Sequence, residues 1–103
     1  MDFRFMFLRD EKGTPVGCVA ITLEKEYAFF QVSTLNPADR FDRKLARQLA
    51  IGRTVENPMS VKVGKKGNIH DVSRAVMLAI SKSTDLPSRS VKAAKLWLKT
   101  RNG

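Results

Sequence analysis

The sequence predicts an α+β domain: a three-stranded antiparallel meander, then a long helix, a short edge strand and a C-terminal pair of helices. Over residues 1–35 apolar side chains occupy alternate positions, which is the period of a strand. From residue 37 onward they recur every three or four positions, which is the period of a helix. Because strands come first and helices after, we expect an α+β fold with its helices on one face of the sheet. The length of 103 residues fits a single domain, 1–103.

The meander consists of three apolar runs joined by short polar segments. Residues 9–13 are polar and end in Gly13, and residues 24–26 separate the second run, 16–23, from the third, 27–35. Short connections of this kind join antiparallel neighbours. The first run alternates three aromatic residues with other side chains: Phe3, Phe5 and Phe7.

The first helix is predicted over residues 36–56. Asn36 is a good N-cap, Pro37 suits the first helical position, and Pro58 ends the helix. A period of 100° per residue predicts a buried stripe of Ala38, Phe41, Leu45, Leu49 and Gly52. The same period predicts an exposed basic face of Arg40, Arg43, Lys44 and Arg47.

The remaining chain is predicted as an edge strand and two helices. Residues 59–63 alternate weakly, and residues 64–67 form a basic turn that contains Lys65 and Lys66. Asn68 is the expected cap of a helix with a buried stripe of Ile69, Val72, Val76 and Ile80. The last helix, from about residue 88 to 100, turns Val91, Ala94, Trp97 and Leu98 inward.

Composition limits the classes of function. With 43% hydrophobic and 28% charged residues the chain has the composition of a globular protein. Its longest apolar run has eight residues, far short of the ~20 that span a membrane, so no membrane partner is expected. The N-terminus has no secretory signal pattern, which predicts an intracellular protein. A single cysteine and a single histidine make no disulfide framework or Cys/His metal site, and no cofactor is expected.

Positive charge is concentrated in the second part of the chain. Residues 1–39 carry four basic and six acidic side chains, whereas residues 40–103 carry fifteen basic and four acidic ones. The formal net charge of the whole chain is +9. Such an asymmetric field favours polyanions, with nucleic acid first and an acidic protein surface second.

No catalytic constellation is apparent, so we expect a protein that is not an enzyme. His70 is alone near the start of a predicted helix, where a polar residue of the first turn is the simpler interpretation. Cys18 is in the middle of an apolar strand with no basic neighbour in sequence, which predicts a small buried hydrophobe.

Residues 80–97 resemble a helix-turn-helix within the predicted helical pair 68–101. Ile80 and Ser81 match the end of its first helix, and Leu86 matches the apolar residue of its turn. The usual glycine of the turn is replaced by Asp85. The resemblance implies a DNA-reading second helix whose groove-facing residues are Ser88, Arg89, Lys92 and Lys95, with Lys99 extending its basic face.

A second resemblance concerns residues 1–55. The segment 39–53, which follows a strand meander and an Asn-Pro, resembles a segment of small accessory proteins from tailed bacteriophages. The resemblance implies a phage protein in the cytoplasm of a bacterial host, and it implies no activity.

Two functions from different classes follow. The first is binding of nucleic acid, most simply DNA, through the basic faces of two helices and the turn between them. The second is implied by the resemblance to phage proteins: binding to an acidic surface of a host protein complex, such as a recombination nuclease or a CRISPR surveillance complex, in order to inhibit or redirect it. Both use the same candidate residues: Arg40, Arg43, Lys44, Arg47, Lys65, Lys66, Ser88, Arg89, Lys92, Lys95 and Lys99.

Overall fold

The predicted α+β class is confirmed. The computed structural model describes residues 2–34, 42–64 and 69–101, and within them one four-stranded antiparallel sheet and three helices. In chain order the elements are β1 (Arg4–Arg9), β2 (Pro15–Glu24), β3 (Tyr27–Thr34), α1 (Arg43–Glu56), β4 (Met59–Lys62), α2 (Ile69–Ser81) and α3 (Ser88–Arg101).

The strands lie in the sheet in their order along the chain, β1-β2-β3-β4. The short edge strand predicted near residue 59 is therefore confirmed, and it pairs with β3 from Tyr27 to Phe30. Beyond that point side chains satisfy the outer edge of β3. The Val32 N–H donates to Oε1 of Gln31 at 2.9 Å, and the Val32 carbonyl accepts from Nη1 of Arg53 at 3.1 Å. These bonds leave this stretch of edge closed to a further strand.

Helices cover both faces of the sheet, so the prediction of helices on one face is wrong. On one face α2 and α3 bury the larger hydrophobic core, which includes Leu8, Val19, Ile21, Phe30, Val32, Val76 and Ile80. On the other face α1 packs against a smaller core of Cys18, Ala20, Ala46 and Ala50, beside the partly buried Phe3, Phe5 and Phe7. The central strand β2 is buried on both faces over residues 16–21, which explains its continuous apolar run.

Helix α1 begins later than predicted. Asp42 is its N-cap, with an extended backbone at φ −120° and a carboxylate that accepts from the Leu45 N–H at 3.1 Å. An extended residue at position 42 cannot lie inside a helix that starts at Pro37, so that predicted start is wrong. The proposed cap Asn36 and the helical positions 37–41 lie outside the described residues.

The buried side of α1 also differs from the prediction. Ala46, Ala50 and Thr54 face the sheet, whereas Leu45 and Leu49 are 47% and 45% exposed. Small side chains bring the helix backbone close enough for hydrogen bonds to the sheet. Ser33 Oγ donates to the Ala46 carbonyl at 2.9 Å, and Thr54 Oγ1 lies 3.4 Å from the Ala20 carbonyl oxygen.

The second and third helices match the predicted positions. Val72, Val76 and Ile80 of α2 are buried as expected, and α3 buries Ala94 against the same core. Residues 82–87 connect the two helices, and Leu86 of this connection packs against the core. Six connecting residues exceed the three or four of a helix-turn-helix, so the predicted motif is not reproduced in its turn.

Candidate nucleic-acid interface

Four basic side chains of α3 line one groove. Arg89, Lys92, Lys95 and Lys99 follow one another at spacings of three or four residues, which places them on one side of the helix. The groove has a volume of about 520 Å³, and its other wall includes Asp10 and Glu11 from the turn between β1 and β2. Four cations against two carboxylates leave the groove positive.

Hydrogen bonds hold the β1–β2 turn in shape. Oδ1 of Asp10 accepts from the N–H groups of Lys12 and Thr14, both at 2.9 Å, and Gly13 adopts the left-handed φ of 80° that closes the turn. Arg9 donates from Nη1 to the Gly13 carbonyl at 3.0 Å. The Asp10 carboxylate therefore serves the turn itself, and Glu11 is the acidic group of the groove with no such role among the described residues.

The basic residues at the start of α1 lie over aromatic rings of β1. The guanidinium carbon of Arg43 is 5.0 Å from the ring centroid of Phe7. That of Arg47 is 5.6 Å from the centroid of Phe5 and 5.8 Å from that of Phe7. These are cation–π distances, so each ring helps to position a guanidinium group at the surface. Lys44, between the two arginines in sequence, is exposed.

The two basic helices flank the same edge strand from opposite faces of the sheet. Phe7 of β1 lies under Arg43 on one side and also borders a cavity of about 330 Å³ lined by Leu96, Trp97 and Thr100 of α3. Strand β1 adds its own exposed cations at both ends, Arg4 and Arg9. Positive charge from three elements thus lies along the β1 edge of the molecule.

The predicted site residues fall into three groups. Arg43, Lys44 and Arg47 are on α1, and Ser88, Arg89, Lys92, Lys95 and Lys99 are on α3. Arg40, Lys65 and Lys66 lie outside the described residues. Arg4 and Arg9 were not among the predicted site residues, although their positions at the two ends of an apolar strand were a usable signal.

Cys18 is a buried free thiol, as predicted. Burial raises the pKa of the Cys18 thiol to about 11, and the charge of Arg47 opposes that rise. Arg47 is distant from Cys18 in sequence, so the sequence neighbours of Cys18 gave no indication of this nearby charge. The raised pKa keeps the thiol protonated near neutral pH, which makes it a poor nucleophile.

Among the described residues no group of three or more Cys, His, Asp and Glu side chains is placed to hold a metal ion. The backbone of His70 is in the first turn of α2, and its side chain lies outside the described part. None of the described helices is both long enough and apolar enough to cross a bilayer. Comparisons with protein-family models, with curated proteins and with solved structures find no match.

Proposed function

We propose that this protein binds nucleic acid, most simply duplex DNA, through the phosphate backbone along the β1 edge of its sheet. The observation that carries the proposal is the line of four basic side chains on α3 that forms one wall of a groove. Lysine and arginine side chains in a row match the regular spacing of phosphates and release condensed counterions on binding. The arginines that lie over Phe5 and Phe7 add charge beside the same strand.

Contacts with phosphates fit this surface better than stacking of bases. The rings of Phe5 and Phe7 pack in the smaller core, and guanidinium groups lie over them, so a base would have to displace an arginine to stack. Recognition of sequence by a helix-turn-helix is also disfavoured, because the connection of α2 to α3 is longer than that motif allows. We therefore expect weak dependence on DNA sequence and strong dependence on salt.

The test removes two charges at a time from one helix. Lys92→Gln with Lys95→Gln alters α3, and Arg43→Gln with Arg47→Gln alters α1. A third pair, Lys25→Asn with Lys82→Gln, removes the same charge from exposed positions that neither line the α3 groove nor lie over Phe5 and Phe7, and it serves as the control. Asparagine is used at position 25 because that residue has a left-handed φ of 56°.

Mobility shifts and fluorescence anisotropy with duplex DNA are measured from low to high salt. We expect the α3 pair to lower the affinity and to reduce the slope of log K against log salt by ~0.9 for each lost phosphate contact. The control pair should leave that slope nearly unchanged. If all three pairs lowered the DNA affinity equally, binding would depend only on the net charge of the protein, and the proposed surface would be wrong.

The same variants test the alternative, binding of an acidic host protein surface by a phage-encoded modulator. That alternative is supported if neither helix pair changes DNA binding at any salt concentration, yet either pair abolishes capture of one stoichiometric host complex from nuclease-treated extract. The first function would then be wrong, and the basic side chains would contact protein carboxylates.

A further inference from the structure

One acidic side chain faces the basic wall of the α3 groove across a gap. Glu11 is exposed in the β1–β2 turn, and it lines the groove together with the exposed Lys92, Lys95 and Lys99 of α3. No ion pair joins Glu11 to any of these lysines in the described part of the chain. The space between the two walls therefore suits a ligand that carries negative charge on one side and hydrogen-bond donors on the other.

The turn fixes the backbone of Glu11 before any ligand binds. Asp10 accepts at its carboxylate from two N–H groups of the turn, as described above. In addition the Asp10 N–H donates to the Thr14 carbonyl at 2.9 Å, and the Asp10 carbonyl accepts from the Gly13 N–H at 3.0 Å. Only the side chain of Glu11 has to become ordered on binding, which keeps the entropy cost of a contact with its carboxylate low.

The floor of the groove is apolar. Val16 and Ala93 line it and are only 3% and 4% exposed, and the partly buried Leu96 lies beside them. A second cavity of about 330 Å³ shares Glu11, Ala93 and Leu96 with the groove, so the two form one continuous trough that reaches Trp97. An apolar floor, a cationic wall and a carboxylate acceptor suit the flat face, the phosphates and the N–H donors of a nucleotide.

The chemistry of Glu11 selects among the bases. A carboxylate has two oxygens that both accept hydrogen bonds. Of the four DNA bases, guanine is the one with two adjacent N–H donors, at N1 and N2, on its Watson–Crick edge. In a duplex that edge is bonded to cytosine, whereas in a single strand it is open to a protein side chain.

From this arrangement we propose that the α3 groove binds a single nucleic-acid strand, with an unpaired guanine on the Glu11 carboxylate and the phosphates of the strand on Lys92, Lys95 and Lys99. The inference rests on the proposed function and narrows it. Phosphate contacts along the β1 edge serve duplex and single strand alike, while the groove adds a preference for one unpaired base. Weak sequence dependence stays the expectation for a duplex, because its guanine edges are closed to Glu11.

Fluorescence anisotropy with the full chain and labelled oligonucleotides tests the groove. The probes are a short thymidine strand with one guanine at its centre and the same strand with hypoxanthine there, which differs from guanine only by lacking the N2 amino group. We expect the wild type to bind the guanine strand roughly three- to tenfold more tightly, the effect of one hydrogen bond. When each probe is annealed to its complement, the ratio of the two affinities should fall to near one.

Glu11→Ala removes both acceptor oxygens, so its ratio of guanine to hypoxanthine affinity should fall to near one on the single strands as well. Loss of a negative charge by itself raises the affinity for every strand, and the ratio cancels that effect. Glu24→Ala is the matched control, because it removes the same charge from an exposed position at the end of β2 that does not line the groove. This control should keep the guanine preference of the wild type.

The outcomes separate this inference from the proposed function. If the wild type binds neither strand nor duplex in a salt-dependent way, the proposed function is wrong and the groove inference fails with it. If it binds both but does not distinguish guanine from hypoxanthine, or if Glu11→Ala keeps the distinction, the groove inference alone is wrong and the phosphate contacts stand. A guanine preference of equal size on the duplex would also overturn it, since Glu11 cannot reach a paired Watson–Crick edge.

Discussion

Cys18 shows how a buried group links stability to pH. Its thiol is fully buried, and its pKa is raised from 9.0 to about 11, chiefly by burial. Between these two values the unfolded thiol has lost its proton while the folded one keeps it. The unfolded state then binds fewer protons, so the free energy of unfolding falls as the pH rises from about 9 to about 11.

We predict that the wild type loses up to about 2–3 kcal/mol in this window, at ~1.4 kcal/mol per pKa unit. Urea denaturation of the wild type and of Cys18→Ala at pH 8, 9.5 and 11 measures the loss. Lysine and tyrosine titrations are common to both proteins, so the difference between their pH profiles isolates the thiol. Parallel profiles would show that Cys18 titrates normally in the folded state.

Two glycines make a matched pair for a second prediction. At Gly17 an added Cβ would lie 2.7 Å from the carbonyl oxygen of Ser33, whereas at Gly52 it would meet nothing within 4 Å. Gly17→Ala should therefore destabilise the protein by about 1–3 kcal/mol, because β2 and β3 would have to move apart. Gly52→Ala should stabilise the protein by up to about 1 kcal/mol through helix propensity.

Thermal and urea denaturation at low micromolar concentration measure both changes. Opposite signs are the expected result. A loss of stability in Gly52→Ala would mean that this position is crowded in the folded protein, contrary to the geometry of α1.

At the scale of elements, the orientation of α1 on the sheet could not be predicted from its sequence, because two different stripes of the helix could have been buried. The helix has two stripes, a large apolar one at Leu45 and Leu49 and a small one at Ala46, Ala50 and Thr54. Periodicity favours the larger side chains as the buried set. The sheet surface beneath α1 presents Cys18 and Ala20, so close packing on it selects the smaller stripe.

This orientation gives a third prediction with an internal control. Leu49→Ala should change the free energy of unfolding by less than about 0.5 kcal/mol, since the side chain is half exposed. Ala46→Leu should cost about 1–3 kcal/mol, because Ala46 is fully buried against the sheet. Urea denaturation of both variants and of the wild type, at low protein concentration, measures these changes in the free energy of unfolding. If Leu49→Ala costs the ~2–5 kcal/mol of a buried leucine, the sequence-based orientation was the correct one.

The strands and the C-terminal helices were more predictable than α1 because their patterns are unambiguous. Strict alternation along residues 27–34 predicts that Ala28, Phe30 and Val32 share one side of a strand, and all three are in the larger core. The stripe of Arg89, Lys92, Lys95 and Lys99 follows in the same way from one helical period. The meeting of this stripe with the β1–β2 turn could not be predicted, because it depends on which sheet face each helix covers.

At the scale of the whole molecule, β2 unites two cores that share no helix. Val19 and Ile21 point into the larger core, and Cys18 and Ala20 point into the smaller one. A strand buried on both faces loses its packing on one side if either layer of helices detaches. We therefore predict that both layers unfold in one cooperative transition.

The single tryptophan makes this last prediction measurable. Trp97 belongs to α3 and packs against the larger core, so its fluorescence reports that layer, whereas far-ultraviolet circular dichroism reports all elements. The two urea transitions should coincide in the wild type. The two transitions should also coincide in Ala46→Leu, which perturbs the smaller core, and in Ile80→Ala, which should cost ~2–5 kcal/mol in the larger core.

In both variants the dependence of the free energy of unfolding on urea concentration, the m-value, should equal that of the wild type, because the same surface is exposed on unfolding. If Ala46→Leu moved the circular dichroism midpoint and left the tryptophan midpoint in place, α1 would unfold separately and β2 would not couple the two layers.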